Sequence, residues 1–456
     1  MKIIIIGGGN IGSNIAVPLI RENHDLVIIE QNPEIIHRIE NELDALIING
    51  DGAGIDSLKR AGINNSNLLI AASDDDRVNV LSSILAKKLN PSIRTLVKIK
   101  NCSNYFDNDK INISEFNFDQ IINPNQLVID KIVSLIEIPE AVDIIDFCDD
   151  KVRMIALIIY PEFELINKTL IEISTENNIF QKIRITGIYR NEKLIIPKGN
   201  EKLQLYDRIY CIGKPSDIDS LLKLYFNKNK KIKNVVISPE PKILPDMVKA
   251  IQKTGCNITI IEPDREKAEK YSEIFDNVLV INGYSTDTSI LNEIKRKQSC
   301  YLALTDNDEY NIISSATAKS HGIDKTICSI RNIALTPILT SFSLIDATFS
   351  NNVLTIGEIL KFSRRGNINS VTYFSEIGAE AIEITILDKI SILEKKLSEV
   401  DIPNGMIIAA IIRNKSIIIP TGNDCLLFND RVIVFVLPSS LKEVDVFFSS
   451  NLIIGR

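Results

Sequence analysis

Three glycines and one acid near the start of the chain have the spacing of a phosphate-binding turn. Gly7, Gly9 and Gly12 directly follow the apolar run 3–6, and Glu30 ends a second apolar run, 26–29. In a strand–turn–helix unit these glycines turn the chain, admit a pyrophosphate and let the helix pack close to the strand. The helix N-terminus then holds the phosphates, and the acid accepts hydrogen bonds from ribose hydroxyls, as for NAD rather than NADP. The pattern predicts a dinucleotide or adenine-nucleotide site; the alternative is a Rossmann turn with only a structural role.

Alternating strands and helices are predicted to position these residues. Asn32 and Pro33 form a good helix start, and a helix over 33–42 leads to a strand over 45–49. Helices over 55–61 and 73–88 then alternate with strands over 68–72 and 95–99. This order predicts a parallel sheet with helices on both faces, which binds ligands at the carboxyl ends of its strands. Five residues fall there: Gly7, Glu30, Asp51, Ser73 and Lys98.

A smaller β-rich segment follows. Strands are predicted over 152–160 and 182–189, with a turn at Arg190-Asn191, a loop over 197–200 and an apolar helix over 218–224. The segment therefore predicts a separate small α+β domain. A lysine-rich tract near 230 reads as a linker, and a nucleic-acid role for it is the weaker alternative given the net charge of −7.

The second half of the chain repeats the first. Glu262 follows Glu30 by 232 residues (262 − 30), and Asn311 stands in the same relation to Asn79. In the small segment Arg413 follows Arg190 by 223 residues (413 − 190). The fold class is therefore α/β, with two Rossmann-like parallel-sheet domains that are each followed by a small α+β domain. The predicted boundaries are 1–125, 140–226, 232–350 and 368–453.

The glycine turn is where the two copies differ. Pro239, Pro241 and Leu244 stand where Gly7, Gly9 and Gly12 stand in the first copy, and Glu240 adds a negative charge. Prolines remove N–H donors, and a leucine side chain fills the space of the close approach. We expect the second large domain to keep the fold but to bind no dinucleotide at this turn. The alternative is a re-routed loop that still binds.

Composition limits the other classes of function. No apolar run reaches the roughly 20 residues that span a bilayer, so the sequence predicts a soluble protein. The seven cysteines are dispersed, without a CxxC pair, and the three histidines stand alone, which argues against a zinc site and for reduced thiols. A metal at Asp74, Asp75 and Asp76 is the alternative to an acidic, capped first turn of a helix.

With its duplicated Rossmann and small domains, the chain resembles the TrkA family of potassium uptake proteins, which consist of two RCK (regulator of potassium conductance) units. The motifs that carry the resemblance are KIIIIGGGNIGSN, NGD at 49–51, SDDDRVN, INPNQLVIDKI and RNEKLIIPKGN. The resemblance implies a non-enzymatic cytosolic subunit, peripheral at the inner face of the cell membrane. Such subunits sense a nucleotide and gate a membrane-embedded potassium transporter subunit of the TrkH or TrkG kind.

The resemblance also implies the ligand and its contacts. The cofactor would be NAD or NADH, or in some members ATP or ADP, with no metal and no catalytic residue. By position, the contacts would come from Gly7, Gly9, Asn10, Ile11, Gly12, Glu30, Asp51, Ser73 and Lys98. RCK units commonly close into rings, so we expect a homodimer with four units. The apolar helices over 126–136 and after Asn352 are candidate pairing elements, with packing inside one chain as the alternative.

An NAD-dependent cytosolic oxidoreductase is the alternative function. Its chemistry requires an acid or base beside the nicotinamide. His24 is predicted at the opposite edge of the sheet, and the Tyr189/Lys193 pair spans a predicted hairpin turn. A third hypothesis is an assembly scaffold without a ligand, for which changes at Gly9 and Glu30 would leave potassium uptake unchanged.

Overall fold

The computed structural model describes residues 1–102, 105, 113–226, 231–294, 296–332, 335, 339, 345–363, 368–374, 379–387, 390, 392–414 and 416–448. Two compact units are formed. The first consists of Met1–Val128 with Asn351–Arg365, and the second of Ile129–Ser350 with Gly366–Arg456.

The first unit contains a parallel sheet of six strands in the order β3-β2-β1-β4-β5-β6. Its strands are β1 Lys2–Ile6, β2 Asp25–Glu30, β3 Leu46–Asn49, β4 Leu68–Ala71, β5 Arg94–Lys98 and β6 Gln120–Ile122. Its helices are α1 Asn10–Arg21, α2 Pro33–Glu42, α3 Ile55–Arg60 and α4 Asp76–Leu89. The strand order reverses between β1 and β4, which is the switch point where ligands bind in such sheets.

The apolar run of β1 explains why this sheet is covered on both faces. Ile3 and Ile5 belong to one buried cluster, and Ile4 and Ile6 belong to another. Strands buried on both faces read as continuous apolar runs instead of alternating patterns. The predicted start of α2 is also confirmed, since the Asn32 side chain caps it by accepting a backbone N–H bond. Helix α4 begins at Asp76, later than the predicted 73, and the Asp75 side chain caps it.

An antiparallel sheet of five strands follows α5 (Pro124–Glu137), in the order β10-β9-β11-β8-β7. Its strands are β7 Ala141–Phe147, β8 Val152–Ile158, β9 Ile183–Arg190, β10 Lys193–Ile195 and β11 Arg208–Gly213, with helices α6 Leu170–Glu176 and α7 Pro215–Tyr225. The hairpin turn lies at Asn191-Glu192, one residue later than the sequence indicated, because β9 extends through Arg190. Both turn residues have positive φ angles, 49° and 61°.

A second parallel sheet of six strands repeats the first, in the order β14-β13-β12-β15-β16-β17. Its strands are β12 Asn234–Ser238, β13 Asn257–Glu262, β14 Val278–Asn282, β15 Ser299–Ala303, β16 Lys325–Ser329 and β17 Ala347–Phe349. Its helices are α8 Leu244–Lys253, α9 Arg265–Ile274, α10 Thr288–Ile294 and α11 Asp308–Ser320.

The last sheet is again antiparallel, in the order β18-β19-β22-β20-β21. Helix α12 (Asn351–Ser363) precedes it and α13 (Leu441–Phe448) follows it. The strands are β18 Ile368–Phe374, β19 Ala379–Thr385, β20 Met406–Arg413, β21 Ser416–Ile418 and β22 Arg431–Val436. The predicted fold class is thus confirmed, while the exact domain boundaries stay a prediction.

Two further findings concern the described residues. None of their helices combines the length and apolar character needed to cross a membrane. Among the same residues, no three His, Cys, Asp or Glu side chains come together as metal ligands would.

Candidate nucleotide-binding site

Two of the three glycines in the first turn are required by the backbone itself. Gly7 has a φ of +93°, and a Cβ there would lie 2.7 Å from the Cα atom of Ser73. A Cβ on Gly12 would lie 1.9 Å from the carbonyl oxygen of Gly7. Both contacts are with backbone atoms that cannot move aside cheaply. The turn therefore requires glycine at both positions, with or without a ligand.

Gly9 is different, because nothing in the fold requires it to be glycine. Its φ of −64° and ψ of −167° are accessible to other residues, and a Cβ there would meet no atom within 4 Å. Gly9 lines a cavity of about 390 Å³ at the carboxyl ends of the strands, a volume usual for small-molecule sites. The space in front of Gly9 is thus open to a ligand.

Most of the residues proposed from the sequence line this cavity. They are Gly7, Gly9, Asn10, Ile11, Glu30, Asp51 and Ser73. Gly12 and Lys98 are not among the lining residues; Gly12 lies behind the turn, and Lys98 is fully buried. The apolar walls include Ile6, Ile29, Ile35 and Val78, all from the first parallel-sheet domain. The cavity thus combines apolar walls with a few polar groups, as ligand sites commonly do.

The Glu30 carboxylate is fixed by three backbone N–H groups. Its Oε2 atom accepts from Gly8 at 2.7 Å, and its Oε1 atom accepts from Gln31 at 2.8 Å and Asn32 at 2.9 Å. A carboxylate has about four lone-pair sites, so it can still accept a bond from a ribose hydroxyl. Glu30 therefore closes the glycine loop onto β2 as well as facing the cavity.

A buried lysine lies behind Asp74, which lines the cavity. The Nζ atom of Lys98 is 3.5 Å from Oδ1 of Asp74, and Nζ of Lys100 is 3.2 Å from the same oxygen. Burial raises the pKa of Asp74, but the charges of Lys98 and Lys100 outweigh it, so the pKa is lower than usual. Burial lowers the pKa of Lys98, against the opposing charge of Asp74. Asp74 thus screens Lys98 from the cavity.

Carboxylates dominate the charge of the cavity wall. Asp51 accepts the N–H of Ala53, and Asp75 accepts the N–H and the guanidinium of Arg77, which lowers the pKa of Asp75 to about 2. No Lys or Arg stands among the described lining residues. Phosphates would therefore depend on the backbone N–H groups of the first turn of α1, which has no side-chain cap.

Sequence reasoning missed one lining residue that comes from the far end of the chain. Asn352, in the first turn of α12, borders the same cavity. Ile356, Ile359 and Leu360 of α12 are buried against the cluster that contains Ile15 of α1. Within the chain, α12 thus packs on α1, and its role as a pairing element stays a prediction. No local motif links Asn352 to the glycine turn; only the tertiary packing of α12 brings it there.

The corresponding turn of the second parallel sheet has a different course. Helix α8 begins at Leu244, two residues later than the position that matches Asn10 (10 + 232 = 242). Ile243 and Leu244 are buried, with 3% and 1% of their surface exposed. The first-turn N–H groups that stand free in α1 thus have no equivalent at the same positions. That this turn binds no dinucleotide stays a prediction.

Family models match most of the chain. The TrkA-N domain matches residues 3–124 and 246–350, and the TrkA-C domain matches residues 154–225 and 381–449. The chain belongs to the TrkA family. Each domain of this family is thus present twice, in the order that the internal repeat predicts.

Curated relatives in the TrkA family match along the whole length. The "Trk system potassium uptake protein TrkA homolog 1" of Methanosarcina mazei is 29% identical, over 98% of this chain and all of that protein. The "Trk system potassium uptake protein TrkA" of Halomonas elongata is 27% identical, over 99% of both.

Solved structures share the fold. The GsuK RCK domain has a TM-score of 0.58 at 14% identity, and covers 99% of this chain and 95% of its own. The GsuK channel bound to NAD has a TM-score of 0.59, also at 14% identity, and covers 99% of this chain and 79% of its own. At this identity the likeness concerns the fold alone.

Proposed function

We propose that this chain is a nucleotide-sensing regulatory subunit of a potassium uptake system. NAD or NADH binds in the first-half cavity, with ATP and ADP as competing ligands, and shifts the equilibrium between arrangements of the domains. That shift biases the gate of a membrane-embedded transporter subunit of the TrkH or TrkG kind. A ligand achieves this only if it binds the arrangements unequally.

One observation carries the binding proposal, namely the open space in front of Gly9. The fold demands glycine at positions 7 and 12 but not at position 9, which lines the cavity and where a Cβ would meet no atom within 4 Å. Gly9 stands where the fold would accept a larger residue, beside an uncapped helix N-terminus. It therefore leaves room for the close approach of a pyrophosphate. We assign the nucleotide contacts to Gly7, Gly9, Asn10, Ile11, Glu30, Asp51 and Ser73, with Gly12 and Lys98 supporting them from behind.

The transport role is supported by the curated relatives, whose names assign them to Trk potassium uptake. A regulatory rather than an enzymatic role is supported by the cavity wall: no His, Lys, Tyr or Cys stands among its described residues. Hydride transfer with a carbonyl substrate normally requires such a group as acid or base. The subunit would act at the cytosolic face of the membrane, beside its transporter.

A homodimer with four RCK units is the assembly we propose. Its support is a repeated surface feature. Leu81 on α4 and Ile313 on α11 occupy the same position in the two copies (81 + 232 = 313), and 48% and 56% of their surfaces are exposed. A large apolar side chain exposed at the same place twice favours a contact surface over a chance exposure.

Calorimetric titration of the full chain with NADH, NAD, ATP and ADP tests the binding proposal. Gly9→Val should weaken the binding of each nucleotide by about 100-fold or more, because the valine fills the approach to the backbone. Gly357→Ala is the matched control, since a Cβ there also meets no atom within 4 Å but lies inside α12. Equal affinities for wild type and Gly9→Val would refute the site.

Potassium uptake by cells that depend on this subunit tests the regulatory role. Gly9→Val should remove the response of uptake to the nucleotide while the protein level is unchanged. Uptake that does not change would favour the scaffold hypothesis. Oxidation of NADH with a panel of small carbonyl compounds, abolished by Gly9→Val, would instead establish the oxidoreductase.

A further inference from the structure

Helix α12 is packed along the first Rossmann-like domain, although it follows the second one in the chain. Three of its residues, Ile356, Ile359 and Leu360, are at most 7% exposed and join the cluster that contains Ile11 and Ile15 of α1. Burial of three aliphatic side chains is a large apolar contact for a helix of 13 residues. The helix is therefore held firmly along α1.

The far end of α12 is anchored as well. The Arg94 guanidinium donates to the carbonyl oxygen of Phe362 at 3.0 Å, and its central carbon lies 4.2 Å from the centre of the Phe362 ring. The arginine thus adds a cation–π contact with the Phe362 ring to its hydrogen bond with the Phe362 carbonyl oxygen. With its C-terminal end fixed in this way, the position of the first turn of α12 is determined by the same domain that forms the cavity.

The first turn of α12 presents Asn352 to the cavity. Asn352 is half-buried, and its side-chain amide makes no hydrogen bond with another residue in the described part of the chain. Neighbouring Asn351 differs, since its side-chain Oδ1 atom accepts the hydroxyl of Thr355 at 3.5 Å. The carboxylates of Glu30, Asp51 and Asp74 on the same wall can only accept hydrogen bonds. The Asn352 amide adds a donor to a wall whose charged side chains are all acceptors.

We propose that Asn352 is a ligand contact of the nucleotide site, and that α12 thereby couples occupancy of the first-half cavity to the second half of the chain. The inference rests on the proposed nucleotide function. The Asn352 amide donates to an oxygen of the bound nucleotide, and the ordering of its first turn spreads along α12. In the sequence, α12 is followed by β18, the first strand of the last sheet. A nucleotide in the first-half cavity therefore contacts residues from both halves of the chain.

Titration of the full chain with NADH tests the contact. Asn352→Ala should weaken binding about tenfold, as expected for one hydrogen bond. Asn352→Asp, which replaces the donor by a further carboxylate, should weaken it more than Asn352→Ala does. Lys361→Ala is the matched control: it alters an exposed position of the same helix, paired with Glu358, and should bind NADH as the wild type does.

Hydrogen exchange with and without NADH tests the coupling. NADH should slow exchange of the α12 amides in the wild type and in Lys361→Ala, and should have no effect in Gly9→Val. If the wild type binds NADH and Gly9→Val does not, but both Asn352 variants bind within twofold of wild type, the contact is refuted and the nucleotide function stands. Unchanged exchange in α12 on binding refutes the coupling. A wild-type chain that binds none of the four nucleotides refutes the proposed function, and this inference with it.

Discussion

The guanidinium of Arg190 donates to both carboxylate oxygens of Asp207, at 2.7 Å each. The Arg413 guanidinium likewise donates to both carboxylate oxygens of Asp430, at 2.9 and 2.7 Å. In both copies the arginine and the aspartate are 17 residues apart in the sequence. Both aspartates also accept a backbone N–H, from Gln204 and Leu427, and their side chains are at most 1% exposed. The pair ties the strand before the hairpin to the loop that enters the next long strand.

Loss of the arginine should therefore destabilise each small domain. Arg190→Met leaves the carboxylate of Asp207 buried without its cation, and we expect a loss of about 3 to 5 kcal/mol. Arg413→Met should lose a similar amount. Arg265→Met is the control, because its partner Glu269 and Arg265 itself are mostly exposed and such pairs contribute less than about 1 kcal/mol. Thermal unfolding measures all three; equal midpoints for Arg190→Met and Arg265→Met would contradict the prediction.

The glycine turn gives a prediction that separates folding from binding. Gly12→Ala forces a Cβ against the carbonyl oxygen of Gly7, so the free energy of unfolding should fall by at least about 3 kcal/mol. Gly9→Ala meets no atom and should cost less than about 1 kcal/mol, mainly because alanine is a poorer N-cap than glycine. Urea unfolding of the two variants decides this. A Gly9→Ala protein as unstable as Gly12→Ala would show that position 9 also belongs to the fold.

The sequence predicts the parts of this structure that depend on local patterns. Continuous apolar runs predict the parallel strands, and the cap Asn32 marks the start of α2, because both signals act within a few residues. The repeat at 232 residues predicts the second sheet. Seven of the nine proposed contact residues border one cavity for a related reason: the carboxyl ends of parallel strands meet at one edge.

Other features depend on contacts between distant residues, and the sequence does not reveal them. Asn352 reaches the cavity because α12 packs on α1. No short motif in the sequence shows which apolar surface this helix will pack on. Lys98 lies at the expected strand end, but whether its amino group meets a ligand or Asp74 depends on side-chain packing. The same holds for Glu30, whose bonds to three N–H groups follow from the close approach of the glycine loop.

Because Lys98 is buried, its replacement by an apolar residue should raise stability but lower nucleotide affinity. Lys98→Met keeps the apolar stem and removes a charge that is buried at a cost, so the free energy of unfolding near neutral pH should rise by about 1 to 2 kcal/mol. Nucleotide affinity should fall, because Lys98 supports the contact residues from behind and pairs with Asp74 on the cavity wall. Lys100→Met, at a partly exposed position, should leave stability nearly unchanged.

The pH dependence of this gain has a definite sign. The pKa of Lys98 is lowered in the folded chain from its usual 10.5, so the unfolded chain binds more protons between the two values. The free energy of unfolding of the wild type therefore rises as the pH rises through the folded pKa of Lys98 towards 10.5, because the buried amino group loses its charge. The advantage of Lys98→Met should be largest near neutral pH and shrink as the pH approaches 10.5. An advantage that grows with pH would contradict burial as the cause.

The repeated exposure of Leu81 and Ile313 makes the assembly testable. If these residues lie in a contact between units, the double variant Leu81→Glu/Ile313→Glu should turn a dimer into a monomer, because two buried carboxylates without partners weaken an interface strongly. Leu224→Glu is the matched control: 60% of Leu224 is exposed, but its counterpart Phe447 (224 + 223) packs against a core. Light scattering of the three proteins measures the mass, and circular dichroism checks that each is folded. A monomeric wild type would refute the dimer. A double variant that stays dimeric would show that the contact lies on another surface.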